Sequence, residues 1–325
     1  MNRNDKNGDG VASFFDFVYY LFYKVYGKIN EGCYIVMPIT KHLKLFKLTE
    51  GILLQHQYVN YLLRHEWNNL VNRDGLYNYL EEIIPGLPIV ADAIAAAHID
   101  EGLLPPIGQQ EVWAAGVTYL RSREARMEES ADSGAADLYD KVYAAERPEL
   151  FFKSMPYRVA GHKQEVYIRR DSAWNVPEPE LTLFINSNGN IQAYTIGNDM
   201  SSRSIEGENA LYLPQAKIFE RSAAIGPCLY VPSEPIATDT AIRMSIHRNN
   251  AEVYKDETSI SRMKRSFTEL AGYLYRECDF PSGSFLMTGT CLVPQNDFTL
   301  RENDIVSISI DGIGTMVNIV SFKPL

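Results

Sequence analysis

One stretch, residues 178–199, constrains the fold more than any other part of the chain. Two apolar runs, 180–185 and 191–196, flank Ser187-Asn188-Gly189-Asn190. Asn-Gly tolerates the positive φ angles of a tight hairpin turn, so the two runs predict paired antiparallel strands. The same pattern recurs where residues 241–247 and 251–254 flank Asn249-Asn250. Further strands are expected at 165–169, 284–289, 305–310 and 316–322. One amphipathic helix is expected over 259–276, with Met263, Phe267, Leu270, Ala271 and Leu274 on one face. Many strands and few helices imply a mixed, curled β architecture in this half of the chain.

Upstream the pattern changes. Residues 42–54 read as a short strand hairpin. From about residue 50 to 84 the spacing of Leu53, His56, Asn60 and Leu63 is mainly helical, and Pro85-Gly86 ends it. Residues 91–99 form a linker or short helix, and Leu103-Leu104-Pro105-Pro106-Ile107 opens a new region. The expected organisation is a poorly ordered extension (1–36), a small N-terminal α/β domain (37–104) and a larger domain (105–325). Met37 is a candidate initiator. Asp5-Lys6-Asn7-Gly8-Asp9-Gly10 matches the start of an EF-hand calcium loop. Asp16 stands where a Glu is usual, however, and four preceding residues leave no room for an entering helix. A flexible polar tail is the simpler reading.

Composition narrows the function. A net charge of -10 argues against a nucleic-acid partner, because phosphate binding needs a basic face. The four cysteines, Cys33, Cys228, Cys278 and Cys291, form no C-x-x-C pair, which favours free thiols in a reducing compartment. No apolar run is long enough to span a membrane. A cytoplasmic, soluble protein is expected.

The chemistry concentrates in Pro177-Glu178-Pro179-Glu180-Leu181. On an extended chain Glu178 and Glu180 point to one side. Two adjacent carboxylates repel unless a cation sits between them. The hairpin return ends in Gly197-Asn198-Asp199, which can bring a third carboxylate back to the pair. An all-oxygen set suits Mg²⁺ or Mn²⁺, and none of the six histidines lies here to favour zinc. The alternative is that these acids are solvated turn residues; an E-x-E alone does not decide.

Three blocks in order, Glu178-Pro179-Glu180, Asn198-Asp199-Met200-Ser201-Ser202-Arg203 and Ala216-Lys217, resemble the catalytic domain of the fumarylacetoacetate hydrolase superfamily. Flanking matches are Gly116-Val117-Thr118-Tyr119, Pro148-Glu149-Leu150-Phe151-Phe152-Lys153, Ile225-Gly226-Pro227, Thr288-Gly289-Thr290 and Gly312-Ile313-Gly314-Thr315. The resemblance implies an α+β fold built on a rolled mixed β-sheet, a homodimer or homotetramer, and a metal held by Glu178, Glu180 and Asp199. It implies that Lys217 faces the substrate and that Thr290 meets a substrate carboxylate. Arg203 is expected to pair with acids near Asp199; Lys153 reads equally as a charge behind the site or a strand-end lysine.

Hydrolytic members commonly carry a histidine after the G-x-x-Y segment, but here no histidine lies between His98 and His162. The run Thr118-Tyr119-Leu120-Arg121-Ser122-Arg123-Glu124 is similar instead to the branch of 2-keto-3-deoxy-pentonate dehydratases. That implies Mg²⁺-dependent dehydration of a 2-oxo sugar acid to 2,5-dioxopentanoate through a metal-stabilised enolate. Arg121, Arg123 and Arg126 are candidates to orient substrate oxygens. Glu149 is the first candidate for acid and base, Lys217 the second, and Glu206 and Glu208 lie near enough in sequence to approach. The rival reading is a C–C hydrolase or decarboxylase on an acylpyruvate-like acid, with a proton shuttle from elsewhere, such as His162.

Overall fold

A computed structural model describes residues 41–129 and 136–325; the expectations for residues 1–36 lie outside them. In chain order the strands are β1 (His42–Leu48), β2 (Gly51–His56), β3 (Val59–Leu63), β4 (Ile89–Val90), β5 (Glu111–Gly116), β6 (Glu149–Ser154), β7 (Val159–Ala160), β8 (Glu165–Ile168) and β9 (Asn175–Val176). They continue as β10 (Pro179–Ile185), β11 (Ile191–Asp199), β12 (Ser201–Ser202), β13 (Ala223–Pro232), β14 (Ala241–Arg248), β15 (Ala251–Ser259), β16 (Ser284–Met287), β17 (Ile305–Ile310) and β18 (Gly314–Phe322). The α-helices are α1 (Trp67–Val71), α2 (Leu76–Ile83), α3 (Asp92–Gly102), α4 (Leu120–Glu129), α5 (Ala136–Ala144), α6 (Arg203–Glu208), α7 (Leu213–Lys217) and α8 (Phe267–Leu274).

The larger sheet runs β4-β3-β2-β1-β13-β11-β10-β16-β5-β6, with β7 beside β13. Its pairs are antiparallel except β16 with β5 and β13 with β7. A second sheet runs β15-β14-β17-β18-β8, and β9 pairs with β12. The fold is thus α+β on a mixed sheet that does not close into a barrel. The proline-rich point near residue 104 interrupts no sheet, because β1 pairs directly with β13.

β10 is buried along its whole length. Leu181, Leu183 and Ile185 join Met244, Ile246, Val306 and Ile308 in one core, while Phe184 joins Leu70, Leu76 and Leu80 in another. With both faces covered, an uninterrupted apolar run is what such a strand requires. Truncating Leu183 to alanine would cost about 2–5 kcal/mol. The hairpin supporting the site is therefore anchored in two cores at once.

Two expectations are corrected. Residues 51–63 are not helical; they form the β2–β3 hairpin, which turns at Gln57 and Tyr58 with φ of 48° and 68°. Neither turn residue is a glycine or asparagine, and Ile52, Leu53 and Leu54 are all buried, so neither turn chemistry nor alternation marks these strands. The helix expected over 259–276 is confined to α8. Its start is fixed by a capping box between Ser266 and Glu269, while β15 holds the chain extended through Ser259. The hairpins at 187–190 and 249–250 form as expected, with positive φ at Gly189, Asn249 and Asn250. Cys228, Cys278 and Cys291 are free thiols. Among the described residues no helix is long and apolar enough to cross a membrane.

Candidate active site

The β10–β11 register sets the acidic group. Pro179 lies opposite Asn198 and Glu180 opposite Gly197, and the Asp199 amide donates to the Glu178 carbonyl at 2.9 Å. Glu178, Glu180 and Asp199 are all buried, and each offers an oxygen within 4.8 Å of the others. Burial raises the carboxyls of Glu178 and Glu180; for Glu180 the rise is large, and Asp199 and Glu178 add to it. Hard oxygen donors crowded out of water in this way fit a hard divalent cation, which relieves their repulsion. The Gly289 amide fixes the third donor, reaching Glu180 Oε2 at 2.6 Å. Gly289 has φ +96°, and a Cβ there would come within 2.0 Å of Thr118 Oγ1, so only glycine fits.

Cations surround this group. Lys217, at the end of α7, places Nζ 2.7 Å from Glu178 Oε2, 3.1 Å from Asp199 Oδ2 and 2.5 Å from Ser201 Oγ. Burial opposes its charge, but Asp199, Glu178 and Glu206 together outweigh burial and raise its pKa. Lys153 Nζ lies 2.5 Å from Asp199 Oδ1 and donates to the carbonyls of Met200 and Lys217. Lys153 thus stands behind Asp199 and ties β6 to β11 and α7. Arg203 donates to Glu178 Oε1 at 2.7 Å. Glu206 faces Arg126 at 3.0 Å, Lys217 at 3.4 Å and Arg203 at 3.6 Å. Burial works against the Glu206 anion, yet these cations hold its pKa down at about 2.

Glu149 begins β6 opposite Gly116, the last residue of β5. Its Oε2 is buried without a hydrogen-bond partner and rests on the bare Cα of Gly116. Burial raises its pKa, and Arg126 and Lys217 oppose the rise without cancelling it. The pocket at the acidic group is lined by Thr290 and by Ser122 and Arg126 of α4; Glu149 is not a lining residue but rests against Gly116, which is. Arg121 and Arg123 do not line it: Arg121 pairs with Glu124 and Glu128, and Arg123 with Asp140, at the surface. The helix turns only Arg126 of the three inward, and its guanidinium is buried. His162 accepts the Val317 amide on Nδ1 and is not among the lining residues; Glu208 is exposed.

The family model described as fumarylacetoacetate (FAA) hydrolase C-terminal matches residues 112–321. The chain belongs to the fumarylacetoacetate hydrolase family. Within that family, a probable 2-keto-3-deoxyxylonate dehydratase of Haloferax volcanii is 45% identical over 232 residues, covering 71% of this chain and 79% of the relative. A 2-dehydro-3-deoxy-D-arabinonate dehydratase of Saccharolobus solfataricus is 34% identical over 304 residues, covering 92% and 97%. A solved 2-keto-3-deoxy-D-arabinonate dehydratase, complexed with magnesium and 2,5-dioxopentanoate, matches with TM-score 0.75 and 30% identity over 87% of this chain and 100% of its own.

For this family member, the residues that sequence reasoning passed over are Ser122, the Gly289 amide and Ser201. A main-chain donor has no side-chain signature, and a lone serine has several ordinary uses. Glu206 was weighed only for its proximity in sequence; its burial among three cations appears only in the fold.

Proposed function

We propose that the chain dehydrates a 2-keto-3-deoxy pentonate to 2,5-dioxopentanoate, using a divalent ion, Mg²⁺ or Mn²⁺, held by Glu178, Glu180 and Asp199. The observation that carries this reading is the buried meeting of those three carboxylates beside Lys217, with the unpartnered Glu149 Oε2 nearby. Similarity to dehydratases over almost the whole chain supports the substrate class.

When bound, the ion draws electron density from the 2-oxo carbonyl and makes the C3 proton more acidic. Glu149 takes that proton: its Oε2 has no hydrogen-bond partner, and a raised pKa brings it nearer the working range of a general base. The C3–H and C4–O bonds break, C3=C4 forms, and the C4 hydroxyl leaves as water. A proton then moves from C5 to C3 to leave the C4=C5 enol, and loss of its hydroxyl proton with protonation of C4 gives the aldehyde of 2,5-dioxopentanoate. Lys217, held charged, donates to substrate oxygens. Thr290 meets the carboxylate, and Arg126 and Ser122 orient the hydroxylated end from α4, the part expected of Arg121 and Arg123.

The reading carries with it a cytoplasmic homodimer or homotetramer, which light scattering on the purified protein checks. The function itself is tested with Mg²⁺ and either 2-keto-3-deoxy-arabinonate or 2-keto-3-deoxy-xylonate, following semialdehyde formation. Acetylpyruvate serves as the hydrolase control. Acetate and pyruvate from the control, with no semialdehyde from either sugar acid, would reject the dehydratase in favour of C–C cleavage.

A further inference from the structure

Resting on the metal reading above, we propose that Glu206 is a positioning residue that receives the Lys217 ammonium when a divalent ion takes Glu178 and Asp199. Lys217 Nζ now contacts two of the three acids that would bind the ion, at 2.7 and 3.1 Å. An ammonium and a dication cannot share those oxygens without strong repulsion, so the lysine needs another anion within reach. Lys217 is fully buried, so the ammonium cannot simply withdraw into solvent.

Glu206 meets the requirement. Among the described residues it is the one carboxylate in ion-pair range of Lys217 that is not part of the three-acid group. It sits 3.4 Å from Nζ, so the transfer needs a small rotation rather than a loop movement. Arg126 from α4 and Arg203 from α6 hold it in place at 3.0 and 3.6 Å. Ion pairs with Arg126, Arg203 and Lys217 define its position. It is the anion of a buried cationic set, and its charge keeps Lys217 beside the pocket instead of competing for the metal oxygens.

The test is a double-mutant cycle read by calorimetric Mg²⁺ binding, without substrate. Glu206→Gln is expected to weaken Mg²⁺ binding at least tenfold, because Lys217 then has only the metal carboxylates to pair with. Lys217→Met is expected to bind Mg²⁺ as tightly as the parent or more so. In that background Glu206→Gln should cost less than threefold. Equal losses in both backgrounds, or no loss with Lys217 present, would overturn the proposal. If Glu206→Gln does not fold, Glu206→Asp serves in its place. It keeps the charge but draws the oxygens back from Lys217, and a severalfold loss is expected only when Lys217 is present; equal losses again refute. Parent protein that binds no Mg²⁺ would remove the metal reading and this inference with it. Tight Mg²⁺ binding without dehydration would sink the substrate assignment alone.

Discussion

Adding one methyl group at Gly116 tests whether Glu149 is the base. Gly116 and Glu149 face each other across β5 and β6. A Cβ at 116 would stand 2.0 Å from Glu149 Oε2, 2.5 Å from Cδ and 3.2 Å from Cγ. Non-bonded contact needs roughly 3.5 Å, so the carboxyl must retreat by more than 1 Å. The displaced atoms are the far end of a flexible side chain, and the stability cost is expected to stay near 1–2 kcal/mol, the lower part of the range for overpacking. The catalytic cost is larger, because misplacing a reacting group by about 1 Å lowers rates on the order of 100-fold. Gly116→Ala should therefore lower kcat about 100-fold at saturating Mg²⁺ and substrate, with Mg²⁺ affinity within twofold of the parent and the circular dichroism unchanged. Glu149→Gln should lose at least as much, and adding Gly116→Ala to it should cost little more. Turnover within threefold of the parent in Gly116→Ala, alongside an inactive Glu149→Gln, would show that the carboxyl does not act from this position.

Four further outcomes follow from the same geometry. Mg²⁺ at about 100 times its dissociation constant should stabilise the fold by about 2.7 kcal/mol, a rise in Tm of roughly 5–10 °C by differential scanning fluorimetry. Glu178→Gln should lose most of that rise. Because burial raises Glu178 and Glu180, the metal must displace protons; Mg²⁺ affinity should fall as pH drops, and calorimetry in buffers of different ionisation enthalpy should detect proton release. The raised Glu149 carboxyl must be deprotonated to act as a base, so kcat/KM should climb with pH along a limb above the ordinary glutamate range, absent from Glu149→Gln. Arg126→Met should cut kcat/KM at least 100-fold, while Arg121→Ala and Arg123→Ala stay within a few-fold, since exposed ion pairs contribute little.

What could be read from the sequence was what local chemistry determines. Asn188-Gly189 and Asn249-Asn250 announce hairpins because only a few residues tolerate their backbone angles. The i, i+2 spacing of Glu178 and Glu180 fixes a common face on any strand, and the short return places Asp199 beside them. Tertiary packing decided the rest. The hairpin read over 42–54 is β1 with most of β2, but β3 was missed because Gln57-Tyr58 turns without the usual residues. Arg121, Arg123 and Arg126 were indistinguishable until α4 was docked, because helical rotation alone does not say which face meets the pocket. Sequence proximity made Glu206 and Glu208 equal candidates to approach the substrate, and only the approach of α4 and α7 makes Glu206 the common partner of three cations.

Charge balance joins these observations. Around the pocket Glu149, Glu178, Glu180, Asp199 and Glu206 face Arg126, Lys153, Arg203 and Lys217, so with every group ionised the acids exceed the cations by one. A divalent cation reverses that excess to a single positive charge, and a monoanionic 2-oxo acid then brings the cluster to neutrality. In a buried site an uncompensated charge is costly, so occupancy of one partner governs affinity for the other. The acid should bind weakly before the metal and well after it. The two arginines and two lysines are too few to neutralise the five acids alone, which leaves room for a dication, and too many to let a dianionic ligand be the only partner the cluster lacks.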